Sequence, residues 1–433
     1  MITALLSLLA ALAFIIYGTS KLKWPAFLVL LLASLFLALA TGVNPQEIGP
    51  LLSEGFGKTV RSIGLLIVFG SIIGVALEQS GATKRIAISM LSRLSFLPLP
   101  YTVAIIGYLV SIPVFCDSAF VILSSLNKRL SQKSGVPLLA LTIALSTGLF
   151  ATHVLIPPTP GPLAAAANLE LNDLGLLIIM GGSVAFLLML LGAAFAHRVS
   201  KRVSLEIQLP ETEEENLEEL PSLKLAVAPI FIPLLLIGLS SFSNHFKIDP
   251  TLALGAGMLL SFRLGRFTKT VSFLSEVVNK GIQTAAPILL ITAMGGTLGL
   301  VISKLPVAEF VAEHLLYPEL GLLIPFLIAA LLKSAQGSST VAIITTSAMV
   351  FPMLATLGLD SDLGKTWVVI AVGIGSMTVS HANDSYFWIV SQFGNLSVKK
   401  AYRYHTFATL LQGIAGLIIV IAGYFISSIL NLL

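Results

Sequence analysis

Thr152-His153-Val154-Leu155-Ile156-Pro157-Pro158-Thr159-Pro160-Gly161-Pro162 interrupts an apolar run that otherwise has the length of a membrane helix. Its four prolines lack backbone N–H groups and hold φ fixed, so a regular helix cannot pass through them. In hydrocarbon such a break survives only where it is buried in protein or lines a cavity. A second interruption, Ser380-His381-Ala382-Asn383-Asp384-Ser385, stands at the matching place in the later half of the chain. Paired breaks in corresponding hydrophobic segments are the pattern expected of a transporter's binding site.

Composition supports a membrane setting. Of 433 residues, 56% are hydrophobic and only 11% charged, with a mean hydropathy of +0.96. Soluble domains carry roughly 25% charged residues. The net charge of +4 does not point to nucleic acid, because the basic residues sit in short loops between apolar runs. A single cysteine, Cys116, excludes a disulfide framework and a cysteine-based metal site. The run 2–17 has no basic region before it, so it reads as a first span rather than a cleaved signal peptide.

A spanning helix needs ~20 apolar residues. Segments 2–17, 25–41, 62–78, 173–196, 224–242, 250–263, 284–303 and 406–429 approach that standard, and 137–168 and 366–390 read as discontinuous spans carrying the two breaks. Segments 101–126 and 321–354 are apolar with polar centres, Ser111–Ser118 and Ser334–Thr340. Each is either a re-entrant hairpin whose tip reaches the bilayer middle or two ordinary kinked helices; the hairpin is the reading adopted.

The chain thus divides into a first repeat (1–196), a charged cytoplasmic linker (197–223) and a second repeat (224–433). The expected fold is an all-α membrane protein. It has two inverted repeats, each with five transmembrane helices plus a re-entrant hairpin, and discontinuous helices at the midplane. An odd number of crossings per repeat inverts the second copy. Loop charges agree with this topology. Lys84, Arg129, Lys201, Arg202, Lys399, Lys400 and Arg403 fall with most basic residues on one side, and Lys58, Arg61 and Lys365 on the other. The positive-inside bias then puts both termini in the periplasm and the linker in the cytoplasm.

Ionisable groups at membrane depth are functional candidates by default. Asp117, His153, Lys333, His381 and Asp384 lie deep, whereas His197, His245, His314 and His405 lie in or near loops. Asp384 with His381 is a candidate for holding a proton or ion, since a carboxylate and an imidazole shift each other's protonation. The competing reading makes Asp384 a helix cap paired with Lys333. Asp117, after the Pro113 break, either caps the next helix or couples an ion, with Ser118 beside it. Gln336, Gly337, Ser338, Ser339 and Thr340 offer hydrogen-bonding groups and an open backbone to a carboxylate or polyhydroxylated ligand, although small residues also serve helix packing. His153, Thr159, Gly161, Asn383 and Ser385 complete the candidate binding set, with Lys333 as the substrate's charge partner. His153 alternatively only bonds a freed carbonyl, and Trp24, Trp367 and Trp388 read as interface anchors.

The segments Ile156–Pro162, Ala335–Ala342 and Ser380–Trp388 resemble those of the gluconate permease family, bacterial gluconate:proton symporters of the ion transporter superfamily. The resemblance runs in order along nearly the whole chain. It implies inner-membrane uptake of a sugar acid or related hydroxy acid, with the proton as coupling ion and no cofactor. It also implies a homodimer, with a scaffold and a moving transport domain that contains both hairpins. Three positions depart from the family pattern. Thr159 stands where histidine is usual, Tyr386 where glycine is usual, and Lys333 where arginine is expected. Lysine and arginine do not grip a carboxylate alike, so these departures bear on the substrate rather than the fold.

The expected activity is therefore secondary active import of a small organic anion by proton symport. A rival within transport is sodium coupling, because hairpin-tip carbonyls and hydroxyls suit sodium. An intramembrane enzyme and a passive channel are rivals from other classes. Against an enzyme, the sequence offers neither a metal cluster nor a soluble catalytic domain.

Overall fold

Proline and glycine punctuation sets the helix ends. The computed structural model describes residues 2–203, 220–242, 248–268, 272–304 and 321–430, and no strand occurs among them. His245, His314 and linker residues 204–219 lie outside this set. The first half runs α1 (Ile2–Ser20), α2 (Ala26–Ala40), α3 (Pro45–Gln79), α4 (Ala82–Arg93), α5 (Leu99–Val110), α6 (Cys116–Ser134), α7 (Leu138–Leu155), α8 (Pro160–Asn168) and α9 (Leu174–Arg202). The second runs α10 (Leu223–Phe242), α11 (Pro250–Ser261), α12 (Phe273–Ile302), α13 (Leu323–Gln336), α14 (Ser339–Val350), α15 (Asp362–Met377), α16 (Ser385–Phe393) and α17 (Val398–Ile429).

Six stretches are long and apolar enough to cross a membrane: α3, Leu138–Asn168 (α7 with α8), α9, Leu223–Ser240 within α10, α12 and α17. Two helices outrun their sequence limits. α3 begins at Pro45 rather than near 62, with Asn44 accepting from the Gln46 N–H as its N-cap, and α12 begins at Phe273 rather than near 284. α9 also continues past 196, since Lys201 and Arg202 in its last turn suit the negative end of the helix dipole.

Corresponding helices of the halves pack alike. α3 and α12 run antiparallel, with Gly55 against Thr297, Gly64 against Leu289 and Ile72 against Gly281. α5 lies against α7 as α13 lies against α15, and α7 against α9 as α15 lies against α17. Small residues set these close crossings, as expected where lipid removes most of the hydrophobic driving force. A Cβ on Gly148 would lie 2.2 Å from the Ala104 carbonyl oxygen, so α5 and α7 touch backbone to backbone there. Gly148→Val is expected to force them apart and sharply reduce folded protein. Fluorescence-detected size exclusion of the solubilised variant checks this, and a wild-type profile would refute it.

α7 is buried from Leu139 to Leu155, an apolar helix enclosed on all sides by protein. It carries His153 into the interior, two turns from the hydroxyl of Ser146.

Candidate functional site

Three helix breaks converge beside the end of α7. Each forms for a local reason. Pro113 stops α5 from continuing. Gly337 ends α13 in the left-handed conformation at φ +79°, which glycine adopts at no steric cost. Val379 at φ +58° turns the chain after α15. Each break is followed by a helix N-terminus: α6 from Cys116, α14 from Ser339 and α16 from Ser385.

The breaks enclose a cavity of about 260 Å³. Its polar wall comprises Asp117, His153, Ser338, Ser339, Thr340, Asp384 and Ser385, with the Gly337 backbone, and Phe115, Phe150, Ile288, Ile291, Ile344 and Tyr386 form apolar sides. Pro287, the proline inside α12, also reaches it. Dedicated pockets begin at roughly 300 Å³, so this space suits a small solute. The Nδ1 of His153 is buried and has no partner within the protein. A buried, unsatisfied ring nitrogen at a cavity wall is costly unless a ligand or water meets it.

Asp384 holds the cavity's electrostatic centre. Its Oδ1 accepts from the Tyr386 N–H at 3.1 Å, capping α16. Its Oδ2 lies 2.6 Å from the Lys333 ammonium, and the two side chains are only 3% and 1% exposed. The same oxygen accepts from the Ser380 hydroxyl at 2.5 Å. Lys333 also donates to the Gly337 carbonyl at 3.4 Å and stands 5.5 Å from the Phe150 ring centroid. Cap and ion pair therefore coexist on one carboxylate. A buried pair of this kind is costly to form and more costly to break on one side.

The sequence-predicted residues divide. Asp117, His153, Gly337, Ser338, Ser339, Thr340, Asp384 and Ser385 come together on the cavity. Lys333 stands directly behind Asp384. Asn383 ties one break to another, its amide donating to the Ser334 carbonyl at 2.5 Å. Gln336 precedes the tip, with both amide atoms buried and unpartnered. Ser118 is half-buried on the first turn of α6, off the cavity. Thr159 donates to the Ile156 carbonyl at 2.5 Å, and Gly161 packs against Ile343, so both serve the proline break. His381 is half-buried, and its bond with Asp384 is a backbone one, its carbonyl accepting from the Asp384 N–H at 2.8 Å.

The imidazole that does meet this network is His405, which sequence reading put near a loop. It is fully buried, within a π-helical turn, Ala401–Thr406, of α17. Its Nε2 lies 3.2 Å from Ser380 Oγ and its Nδ1 3.3 Å from Ser146 Oγ. The basic cluster Lys399, Lys400 and Arg403 around it disguises a buried position as a loop.

A larger cavity, about 440 Å³, lies between α3, α12 and the end of α8. Lys58 and Glu170 on its wall already form an exposed ion pair. Neither Lys333 nor Asp384 lines it.

Comparisons with known proteins converge. A family model described as GntP family permease matches residues 3–426. An uncharacterized permease of Haemophilus influenzae is 32% identical, the match covering 96% of this chain and 92% of that protein. The inner membrane permease YgbN of Escherichia coli is 29% identical over 96% of this chain and 98% of its own length. A gluconate permease of Pseudomonas aeruginosa is 28% identical over 96% of each chain. The crystal structure of the Alcanivorax borkumensis YdaH transporter shares the fold, with a TM-score of 0.69 at 14% identity, covering 93% of this chain and 99% of that one.

Proposed function

The chain belongs to the GntP family of permeases, a multi-pass inner-membrane transporter rather than an enzyme, and from that premise we propose that it imports a small hydroxylated organic acid with a proton. The observation that carries this reading is the buried Lys333–Asp384 pair at the wall of a small, hydroxyl-rich cavity.

The three helix N-termini at the cavity each present partial positive charge. Asp117 occupies the first turn of α6 and Asp384 caps α16. The first turn of α14 has no acid; Ser338 caps the Val341 N–H at 3.3 Å, which leaves the Ser339 and Thr340 N–H groups and hydroxyls for the ligand's carboxylate. Ser338, Ser385 and His153 then face the ligand's hydroxyls. Gluconate is the named substrate of the Pseudomonas aeruginosa relative, and the sugar acids are the class favoured here.

Coupling follows from charge. A proton on Asp384 removes the counter-ion of Lys333, whose ammonium then turns to the anionic substrate, so proton and acid stabilise each other's binding. The matched helix order and the antiparallel α3–α12 pair support two inverted repeats of five spans and a re-entrant hairpin each, and the bias of basic residues among the loops favours periplasmic termini. The same reading assigns Asp117 to ion coupling with Asp384, and takes the protein as a homodimer.

Asp384→Asn tests the reading directly. Asparagine keeps the cap and mimics the protonated acid, so the variant in proteoliposomes is expected to bind and exchange substrate while losing uphill accumulation. Full proton-driven accumulation by this variant removes Asp384 from coupling. Accumulation by the wild type under a sodium gradient alone would instead favour sodium, which hydroxyls and carbonyls at the α13–α14 break also suit.

A further inference from the structure

Resting on the proton-symport reading, we infer that His405 is the second proton carrier, linked to Asp384 through the Ser380 hydroxyl and passing the coupling proton toward the cytoplasmic end of α17. The chain of contacts is continuous. Ser380 Oγ bridges Asp384 Oδ2 at 2.5 Å and His405 Nε2 at 3.2 Å. On the far side of the ring, Ser146 Oγ stands 3.3 Å from Nδ1.

Donor bookkeeping defines what the ring does. A hydroxyl has one proton to give. Ser380 donates its proton to Asp384 at 2.5 Å, and Ser146 donates to the Ile143 carbonyl at 3.1 Å. Both hydroxyl oxygens therefore face His405 as acceptors, an arrangement with room for an N–H on each nitrogen. The neutral ring that receives the proton carries its hydrogen on Nδ1, donating to Ser146 Oγ, and its bare Nε2 accepts the Ser380 hydroxyl once Asp384 is protonated and donates to Ser380 Oγ in turn. The site thus accepts His405 in either protonation state without moving a heavy atom.

The transfer balances. The Asp384 O–H bond breaks as its proton passes to Ser380 Oγ, and the former Ser380 proton forms the Nε2–H bond of His405. Asp384 returns to carboxylate and recovers Lys333, which releases the substrate's carboxylate. His405, buried here between two serines, gives its proton to water admitted when the site opens on the side where Tyr402 and Arg403 of the same turn are exposed. The π-turn presents the His405 ring to both serines, and such turns concentrate at functional positions. The groups facing His405 are Tyr386 and Phe387 of α16, at ring-centroid distances of 5.7 and 6.3 Å, and Ser146 of α7. Asp384 and Lys333 stand behind Ser380, Asp117 and Cys116 lie across the cavity, and Tyr402, Arg403 and Tyr404 share its own turn.

The test uses purified full-length protein in proteoliposomes with D-gluconate, D-glycerate and D-serine as probes, comparing wild type, Asp384→Asn, His405→Gln and Ser380→Ala. Two readouts are taken: substrate exchange without a proton gradient, and accumulation driven by an imposed one across external pH 5 to 8. His405→Gln and Ser380→Ala are expected to keep exchange within about twofold of wild type, while proton-driven accumulation slows roughly a hundredfold and its pH profile changes shape. Equal losses in both readouts, with an unchanged profile, would assign His405 to packing and overturn the inference. So would wild-type behaviour of both variants beside an uncoupled Asp384→Asn, which leaves the symport reading intact. Wild-type protein that accumulates none of the probes under a proton gradient overturns the symport reading and the relay with it.

Discussion

Lys333→Met is expected to abolish uptake and to destabilise the protein by about 3–5 kcal/mol, the usual result of stripping one partner from a buried ion pair. The carboxylate of Asp384, 2.6 Å from the missing ammonium, would be left with only the Ser380 hydroxyl and the Tyr386 N–H. Thermal unfolding of the solubilised variant measures the stability term, and vesicle uptake measures transport. The double variant Lys333→Met/Asp384→Asn separates the roles. Removing both charges is often nearly neutral for stability, so its unfolding temperature should return close to that of wild type while accumulation stays absent. A double variant that accumulates substrate would reduce the pair to a structural one. Lys333→Arg keeps the charge with a bulkier planar head in a site only 1% exposed, and is expected to stay folded with altered substrate preference.

Gly337→Ala is the second large effect. Two costs add. The residue stands at φ +79°, where a side chain costs about 1–2 kcal/mol. A Cβ there would lie only 2.0 Å from the Asn383 carbonyl oxygen, so the two breaks cannot keep their contact. The displacement would carry the Lys333 end of α13 away from Asp384 and open the cavity floor. Uptake is expected to fall below detection, with a lowered unfolding temperature. Normal uptake by Gly337→Ala would mean that the breaks do not need to touch. Ser339→Ala, by contrast, removes one hydroxyl without moving backbone, and is expected to weaken apparent affinity while leaving the folded yield unchanged.

The mean hydropathy and proline pattern of the sequence, unaided, determined that the chain is helical and membrane-embedded, and that helices break near 157–162, 337 and 380–385. These are local facts, because a proline lacks its N–H and a glycine tolerates positive φ wherever they occur. The family likeness was legible for the same reason, being written in contiguous segments. The sequence also supplied Asp117, His153, Ser338, Ser339, Thr340, Asp384 and Ser385, which meet at the cavity because each lies at or beside a break.

Only the tertiary structure decided which charges become partners. Lys333 and Asp384 are far apart in the chain and are joined by the approach of two breaks, which no local pattern encodes. His381 looked like the partner of Asp384 by spacing, three residues away. The non-helical path after Val379, however, leaves only a backbone bond between them. His405 reaches the network instead, because a π-turn and the packing of α17 against α7 turn its ring inward. Local stereochemistry is carried by a residue and its neighbours, whereas a buried charge finds its counter-ion only when distant segments fold against it.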